Sequence, residues 1–276
     1  MSGNYLSQGA RLSFSDAGSG LPVVLLHPTP LDGEYWRPLT KELAGIRAIV
    51  PDLRGHGHSE LGSGLPAGGF ARVPGAPTLT MAQLATDILE LLDHLGVAKA
   101  VFGGCSIGGY VLLELWRRAP QRMRGMIFVC SKPQPDAEAS LAKRVETIGR
   151  ARAEGVAAIF DEMAQNTVAP SVRRERPEVV GEVRAQMTLT AEALVAVQAG
   201  LAARPDSVPT VAMIRVPVLA IAGAEDTNVT AADMEAFRAA PGGCEFHVLQ
   251  GAGHYAAYEQ PKKVAALMAP WLRQFE

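Results

Sequence analysis

The sequence predicts an α/β fold with a mostly parallel central sheet, helices on both of its faces and an inserted helical cap. Three observations predict it. Short apolar runs alternate with amphipathic helical patterns along the 276 residues. Residues 133–210 contain helical patterns but no convincing strand. The segment 104–108 reads Gly-Cys-Ser-Ile-Gly and stands between an apolar run and a helical pattern.

Apolar segments bounded by glycine or proline predict the strands. An alternating segment, 11–15, predicts an edge hairpin that ends at a Gly-Ser-Gly turn. The buried strands are predicted at 23–26, 48–50, 100–102, 126–129, 218–221 and 246–249. Because helical patterns separate most of these runs, the sheet is expected to be largely parallel.

Three amphipathic patterns predict the clearest helices. The first begins after Thr80, a residue type that caps helices, and closes at Gly96. The second opens at the glycine-flanked serine and ends near Pro120. The third carries an apolar stripe over residues 264–272 near the end of the chain.

Two segments interrupt this alternation of strands and helices. Residues 62–77 are rich in glycine and proline, which predicts a long irregular loop. Residues 133–210 predict several helices inserted between two strands. We therefore expect a core formed by residues 1–132 and 211–276 and a helical cap formed by residues 133–210.

Composition limits the classes of partner. The 26 basic and 28 acidic residues nearly cancel and form no basic stripe, which argues against a nucleic acid partner. No apolar run approaches the roughly 18–20 residues of a membrane span, and the N-terminus lacks the apolar core of a signal peptide. The three cysteines have no disulfide or zinc-site spacing. We expect a cytoplasmic protein with no metal or cofactor that acts on a small molecule, in an oligomeric state that the sequence leaves open.

The segment 104–108 predicts a nucleophile elbow. In the pattern G-x-S-x-G, a serine sits on a sharp turn between strand and helix, where side chains on the flanking residues would not fit. The hydroxyl of Ser106 would then project above the sheet edge, and the amide of Ile107 would point toward the same place. The competing interpretation is a plain glycine-rich turn.

A serine hydroxyl needs a base, and the base needs an orienting carboxylate. His254 follows a Gly-Ala-Gly turn after the last predicted strand, at the carboxyl end of the sheet where ligands bind in α/β folds. Asp226 follows the strand at 218–221, and Glu225 and Asp136 are rival carboxylates. The chain order serine, aspartate, histidine is the one expected with a nucleophile elbow.

An oxyanion hole requires two backbone N–H donors. One is expected from Ile107, the residue after the serine. The other is expected from the loop that follows residues 23–26, which reads His27-Pro28-Thr29-Pro30. Since proline has no N–H, Thr29 is the donor by elimination. The competing interpretation is a rigid proline-rich loop without chemistry.

Together these residues resemble the α/β-hydrolase superfamily, and within it the group of 3-oxoadipate enol-lactonases, small-molecule esterases and cofactor-free haloperoxidases. Residues 51–59 (PDLRGHGHS) match the group's D-x-R-G-x-G-x-S segment, and residues 253–261 (GHYAAYEQP) match the segment around its catalytic histidine. Pro28 stands where the group usually has a glycine.

The resemblance implies an α/β-hydrolase fold and a role for each matched residue. Ser106 would be the nucleophile, His254 the base and Asp226 the orienting acid. Thr29 and Ile107 would supply the oxyanion hole. Arg54 and His56 would shape the 51–59 loop and would not act on the substrate.

We expect hydrolysis of a small carboxylic ester or lactone through an acyl-enzyme. A first alternative is a cofactor-free perhydrolase or haloperoxidase activity, in which hydrogen peroxide intercepts the acyl-enzyme formed by the same triad. A second alternative is a non-catalytic binding protein on the same fold. The sequence names neither the substrate nor the role of residues 62–77.

Overall fold

An eight-stranded sheet forms the centre of the computed structural model, which describes residues 2–276. The strands are β1 (Ser2–Ser7), β2 (Ala10–Gly18), β3 (Leu21–Leu26), β4 (Ile46–Pro51), β5 (Ala100–Cys105), β6 (Met123–Val129), β7 (Val218–Gly223) and β8 (Cys244–Leu249). Their order in the sheet is β1-β2-β4-β3-β5-β6-β7-β8. The pairs β1–β2 and β2–β4 are antiparallel and the other neighbours are parallel. The predicted mostly parallel sheet is confirmed.

Helices connect the parallel strands. They are α1 (Arg37–Thr40), α2 (Met81–His94), α3 (Ile107–Arg118), α4 (Glu138–Glu154), α5 (Ala157–Thr167), α6 (Pro170–Glu175), α7 (Glu178–Ala185), α8 (Ala191–Ala202), α9 (Val208–Val211), α10 (Ala231–Met234), α11 (Ala256–Glu259) and α12 (Pro261–Leu272). Short 3-10 turns lie at Gly33–Trp36, Pro120–Arg122, Glu235–Ala239 and Arg273–Phe275. Among the helices of residues 2–276, none has both the length and the apolar character that crossing a bilayer requires.

The helix predicted after Thr80 is α2. The Thr80 hydroxyl accepts a hydrogen bond from the backbone N–H of Gln83 at 3.1 Å, which satisfies one of the free donors at the helix start. The helix predicted at the elbow is α3, and the one predicted near the chain end is α12.

Residues 11–15, expected in an edge hairpin, lie in β2, which forms an antiparallel hairpin with the edge strand β1. A turn at Gln8 and Gly9, both with positive φ, joins the two strands. The sequence did not predict β1 itself. Its residues, SGNYLS, are mostly polar, because an edge strand that covers the core with one face needs few apolar residues. Tyr5 is the buried apolar residue of β1.

The sheet is covered on both faces. Every residue of β5 and of β7 is buried, although successive side chains point to opposite faces. Six helices, α4 to α9, lie between β6 and β7 in the chain, and we call α4 to α8 the cap helices. Residues 62–77 form an irregular loop with one bridge between Ala67 and Pro77, and its Arg72 pairs with Glu138 at the start of α4.

Candidate active site

The segment 104–108 makes a sharp turn between β5 and α3. Ser106 has φ +50° and ψ −115°, a conformation that non-glycine residues rarely adopt. A Cβ atom on Gly108 would lie 2.2 Å from the carbonyl oxygen of Leu26. A Cβ atom on Gly104 would lie 2.4 Å from the carbonyl carbon of Gly108. Both positions therefore require glycine, as the elbow pattern predicts.

His254 and Asp226 are hydrogen-bonded to each other. The distance from His254 Nδ1 to Asp226 Oδ2 is 2.7 Å. The other oxygen, Asp226 Oδ1, accepts the backbone N–H groups of Asn228 at 2.8 Å and Val229 at 3.0 Å. Burial opposes ionisation of Asp226, but His254 and the two N–H donors outweigh it, so the pKa of this carboxyl lies below its ordinary value. An ionised Asp226 therefore accepts a hydrogen bond from the N–H at Nδ1 and orients the imidazole.

Ser106, His254 and Thr29 line the same cavity, which has a volume of about 300 Å³. Within residues 2–276, no hydrogen bond joins the Ser106 hydroxyl to the imidazole of His254. Catalytic hydrogen bonds are often long or poorly aligned in unliganded enzymes and tighten when substrate binds. Because Asp226 holds Nδ1, Nε2 is the nitrogen available to the serine.

Both rival carboxylates are engaged elsewhere. Glu225 accepts the backbone N–H of Ser171 at 2.9 Å and so joins the Asp226 loop to α6. Asp136 pairs with the guanidinium groups of Arg144 and Arg204. Asp226 is thus the carboxylate, of the three considered from the sequence, that contacts His254.

The loop that holds Thr29 is fixed by a buried histidine. The Nδ1 of His56 lies 3.0 Å from the carbonyl oxygen of Arg54, which can only accept, so Nδ1 carries the proton. Nε2 then accepts the hydroxyl hydrogen of Thr29 at 2.9 Å. Burial lowers the pKa of His56 to about 3, which keeps the ring neutral and this tautomer in place.

A second neutral histidine fastens the same loop. His27 Nδ1 donates to the carbonyl of Pro28 at 3.0 Å, and its Nε2 accepts the N–H of Leu53 at 2.8 Å. Burial lowers the pKa of His27 to about 4. The neighbouring Arg54 forms a buried ion pair with Asp87 at 2.6 Å. Residues 27–30 and 52–59 therefore form one rigid unit, in which Arg54 and His56 contact protein groups.

Glu259 is a component of the site that the sequence did not reveal. Its side chain is fully buried and accepts the backbone N–H groups of Gly253 at 2.8 Å, Tyr255 at 3.0 Å and Ala169 at 3.1 Å. Burial raises its pKa in spite of these donors. The N–H of His254 donates to the carbonyl of Thr167 at 3.2 Å. The histidine loop is thus bound directly to the connection between α5 and α6.

Two buried thiols lie beneath the histidine loop. Cys105 Sγ contacts the carbonyl oxygen of His254 at 3.5 Å, and Cys130 Sγ contacts that of Gly253 at 3.4 Å. Burial raises the pKa of both thiols, which keeps them protonated and able to donate to these carbonyls. Within residues 2–276, no group of three His, Cys, Asp or Glu side chains is arranged to hold a metal ion.

Comparison with known proteins identifies the family to which the chain belongs. Residues 23–267 match the model of the alpha/beta hydrolase family. The solved structure of a thermophilic esterase from Thermogutta terrifontis, with malate bound, superposes with a TM-score of 0.87 at 34% identity. The superposition covers 98% of this chain and 96% of that chain.

Two curated relatives extend the comparison to other activities. A 3-oxoadipate enol-lactonase of Acinetobacter baylyi is 28% identical over 220 residues, which are 78% of this chain and 74% of the lactonase. A 2-succinyl-6-hydroxy-2,4-cyclohexadiene-1-carboxylate synthase of Salmonella arizonae is 25% identical over 264 residues, which are 92% of this chain and 95% of the synthase.

Proposed function

Because the chain belongs to the alpha/beta hydrolase family, we propose that it hydrolyses a small carboxylic ester or lactone through an acyl-enzyme. The observation that carries the proposal is the 2.7 Å hydrogen bond between His254 and Asp226 beside a cavity that Ser106 also lines. An esterase and an enol-lactonase among the similar proteins support ester and lactone bonds as the class of target. Because a synthase is also among the similar proteins, similarity alone leaves the reaction open, and the proposal depends on the residues of the site.

In the proposed first step, the hydroxyl of Ser106 attacks the carbonyl carbon of the substrate while Nε2 of His254 takes the proton. Asp226 keeps the other nitrogen protonated and stabilises the imidazolium that forms. The negative charge that develops on the carbonyl oxygen is held by the backbone N–H groups of Thr29 and Ile107. Ile107 opens α3, where the first N–H groups of a helix have no partner within the helix.

The proposed second step regenerates the serine. The imidazolium of His254 protonates the departing alcohol, or the alcohol end of an opened lactone, as the bond to the carbonyl carbon breaks. Nε2 then takes a proton from water, and the resulting hydroxide attacks the acyl-enzyme ester. The bond between the acyl carbon and Ser106 Oγ then breaks, and Oγ takes the proton from Nε2. The products are a carboxylic acid and free Ser106, with His254 neutral again. In this scheme residues 133–210 act as the cap that selects the acyl or alcohol part.

The direct test compares Ser106→Ala with the native protein on p-nitrophenyl acetate and butyrate. We expect turnover to fall by about 10⁶-fold, because a serine nucleophile and its base act as a unit. Ser63→Ala, in the exposed 62–77 loop, is the matched control and keeps native turnover. Unchanged activity in Ser106→Ala would remove this serine from the mechanism.

Two further measurements separate the alternatives left open by the sequence. A fluorophosphonate should label Ser106 in the native protein, whereas a non-catalytic binding protein has no need to react. Peroxide-dependent halogenation in acetate buffer tests whether hydrogen peroxide replaces water in the second step. We expect labelling, and we expect water to be the preferred acceptor.

A further inference from the structure

A lysine ammonium faces the proposed catalytic cavity without a close partner. Lys132 lines the cavity, and its side chain is only 15% exposed. The nearest carboxylate oxygen, Asp233 Oδ1, is 4.0 Å from its Nζ. The other oxygen of Asp233 already accepts the backbone N–H and the hydroxyl of Thr230. Within residues 2–276, the ammonium of Lys132 makes no hydrogen bond, so it can donate hydrogen bonds to a ligand while Asp233 partly balances its charge.

Lys132 shares the cavity with the proposed nucleophile. Ser106 and Lys132 both line it, and the residue before Lys132, Ser131, donates its hydroxyl to the carbonyl oxygen of Ser106 at 2.9 Å. A group bound by Lys132 would therefore lie in the same cavity as the carbonyl carbon that Ser106 attacks.

A cluster of three charged side chains on the same cavity carries an excess of positive charge. The carboxylate of Asp136 is shared by the guanidinium groups of Arg144 and Arg204, so one negative charge faces two positive charges. The side chains of Asp136 and Arg204 are each 4% exposed, which limits screening by solvent. Burial opposes ionisation of Asp136, but the two guanidinium groups outweigh it and lower its pKa. One net positive charge therefore remains.

Of the two guanidinium groups, that of Arg144 is the one open to a ligand. Arg204 also donates to the carbonyl groups of Leu201 and Gln134 and lies over the ring of Tyr110 at 4.4 Å. Arg144 lines the cavity and donates through Nη1 to the amide oxygen of Gln198 at 2.7 Å. In the described part of the chain its Nη2 has no partner.

The charges at the outer part of the cavity cancel. Arg150 and Glu162 form a bidentate pair with distances of 2.6 and 2.8 Å. Lys143 and Glu146, both exposed, have opposite charges. The positive charge that remains belongs to the cluster of Arg144, Arg204 and Asp136, and Lys132 adds an ammonium that makes no hydrogen bond in the described part of the chain.

We propose that Lys132 and Arg144 form an anion subsite, and that the substrate is an ester or lactone carrying a separate, ionised carboxylate. The subsite rests on the proposed function and narrows its substrate class. A carboxylate offers two oxygens, which can accept from an arginine and a lysine at once. Its charge would balance the one net positive charge of the cluster formed by Arg144, Arg204 and Asp136. The cavity of about 300 Å³ accommodates a short half-ester of this kind.

The test compares two esters of nearly equal shape. Monoethyl succinate carries a carboxylate where ethyl 4-methylpentanoate carries an isopropyl group. Release of acid is followed in a pH-stat at low ionic strength, and kcat/KM is measured for each. We expect the native protein to prefer the half-ester. Lys132→Met should lower the ratio of the two kcat/KM values by about tenfold to hundredfold, as for loss of a hydrogen bond to a charged group.

A control and a binding measurement complete the test. Lys99→Met removes an exposed lysine and should keep the native ratio. In titration calorimetry, succinate should bind the native protein and bind Lys132→Met at least tenfold more weakly. Turnover of the neutral ester without any preference for the half-ester would overturn the subsite and leave the proposed hydrolysis intact. If neither ester is hydrolysed, the calorimetry decides: failure of succinate to bind the native protein overturns the subsite, and selective weakening in the variant supports it.

Discussion

The carboxylate of Glu259 accepts the backbone N–H of Ala169 at 3.1 Å, and this contact joins the loop of His254 to the cap helices. The same carboxylate accepts the N–H groups of Gly253 and Tyr255, on either side of His254. A single buried side chain thus fixes the backbone around the proposed base and connects it with the segment that follows α5.

Glu259→Gln tests whether Glu259 positions the backbone around His254 without contributing to substrate binding. Glutamine has the same shape, but its amide nitrogen cannot accept a hydrogen bond, so at least one of the three N–H groups loses its acceptor. We expect the free energy of unfolding to fall by about 1–3 kcal/mol and kcat to fall about tenfold, with KM little changed. Urea denaturation and steady-state kinetics measure the two effects. Glu245→Gln, at an exposed carboxylate, should alter neither; equal losses in both variants would argue against a specific role.

Asp226→Asn should reduce kcat by about 10⁴-fold, because an amide no longer selects the tautomer that leaves Nε2 free to accept a proton. The substitution also changes the dependence of stability on pH. The pKa of Asp226 is lowered from its usual 3.8, so the ionised group stabilises the folded state above that pH. This contribution is lost as the pH falls through the lower folded-state pKa.

The free energy of unfolding of the native protein, relative to that of Asp226→Asn, should therefore decrease as the pH is lowered below about 4. Urea titrations of both proteins at several pH values measure this difference. If the free energies of unfolding of the two proteins differ by the same amount at every acidic pH measured, the lowered pKa of Asp226 is contradicted.

Thr29→Val should destabilise the loop of the proposed oxyanion hole without removing the backbone N–H of residue 29. Valine has nearly the same shape as threonine but leaves Nε2 of the buried His56 without a donor. We expect the free energy of unfolding to fall by about 1–3 kcal/mol. We also expect kcat on p-nitrophenyl acetate to fall by about tenfold. Thr29→Ser retains the hydroxyl and should keep most of both properties; a serine variant as impaired as the valine one would mean that the methyl group matters and not the hydrogen bond.

Gly108→Ala should prevent correct folding or destabilise the protein by more than about 4 kcal/mol, since the added Cβ would lie 2.2 Å from a backbone oxygen. Gly149→Ala is the matched substitution, because nothing lies within 4 Å of the Cβ position on that helical glycine. It should stabilise the protein by about 0.4–1 kcal/mol. Denaturation midpoints of the two purified variants, or the soluble yield of the first, check both expectations.

The sequence indicated the parts of the site that depend on local pattern. Ser106 follows from glycine spacing between a strand and a helix, and His254 and Asp226 follow from their places after strands. The contact between Glu259 and Ala169 could not be predicted from the sequence. The two residues are 90 positions apart, and no sequence pattern indicates that such distant residues meet. The edge strand β1 was hidden for a related reason, since one buried face leaves only a weak apolar signal.

The connection between α5 and α6 touches both loops that carry the proposed acid and base. Thr167 and Ala169 bind the histidine loop, and Ser171 binds Glu225, the neighbour of Asp226. Chimaeras that replace the segment between β6 and β7 with that of a relative should therefore place their junctions so that residues 167–171 remain native. Transplants confined to α4 and the first turns of α5 would change the cavity wall, whereas a foreign segment at 167–171 would misalign the two loops it anchors.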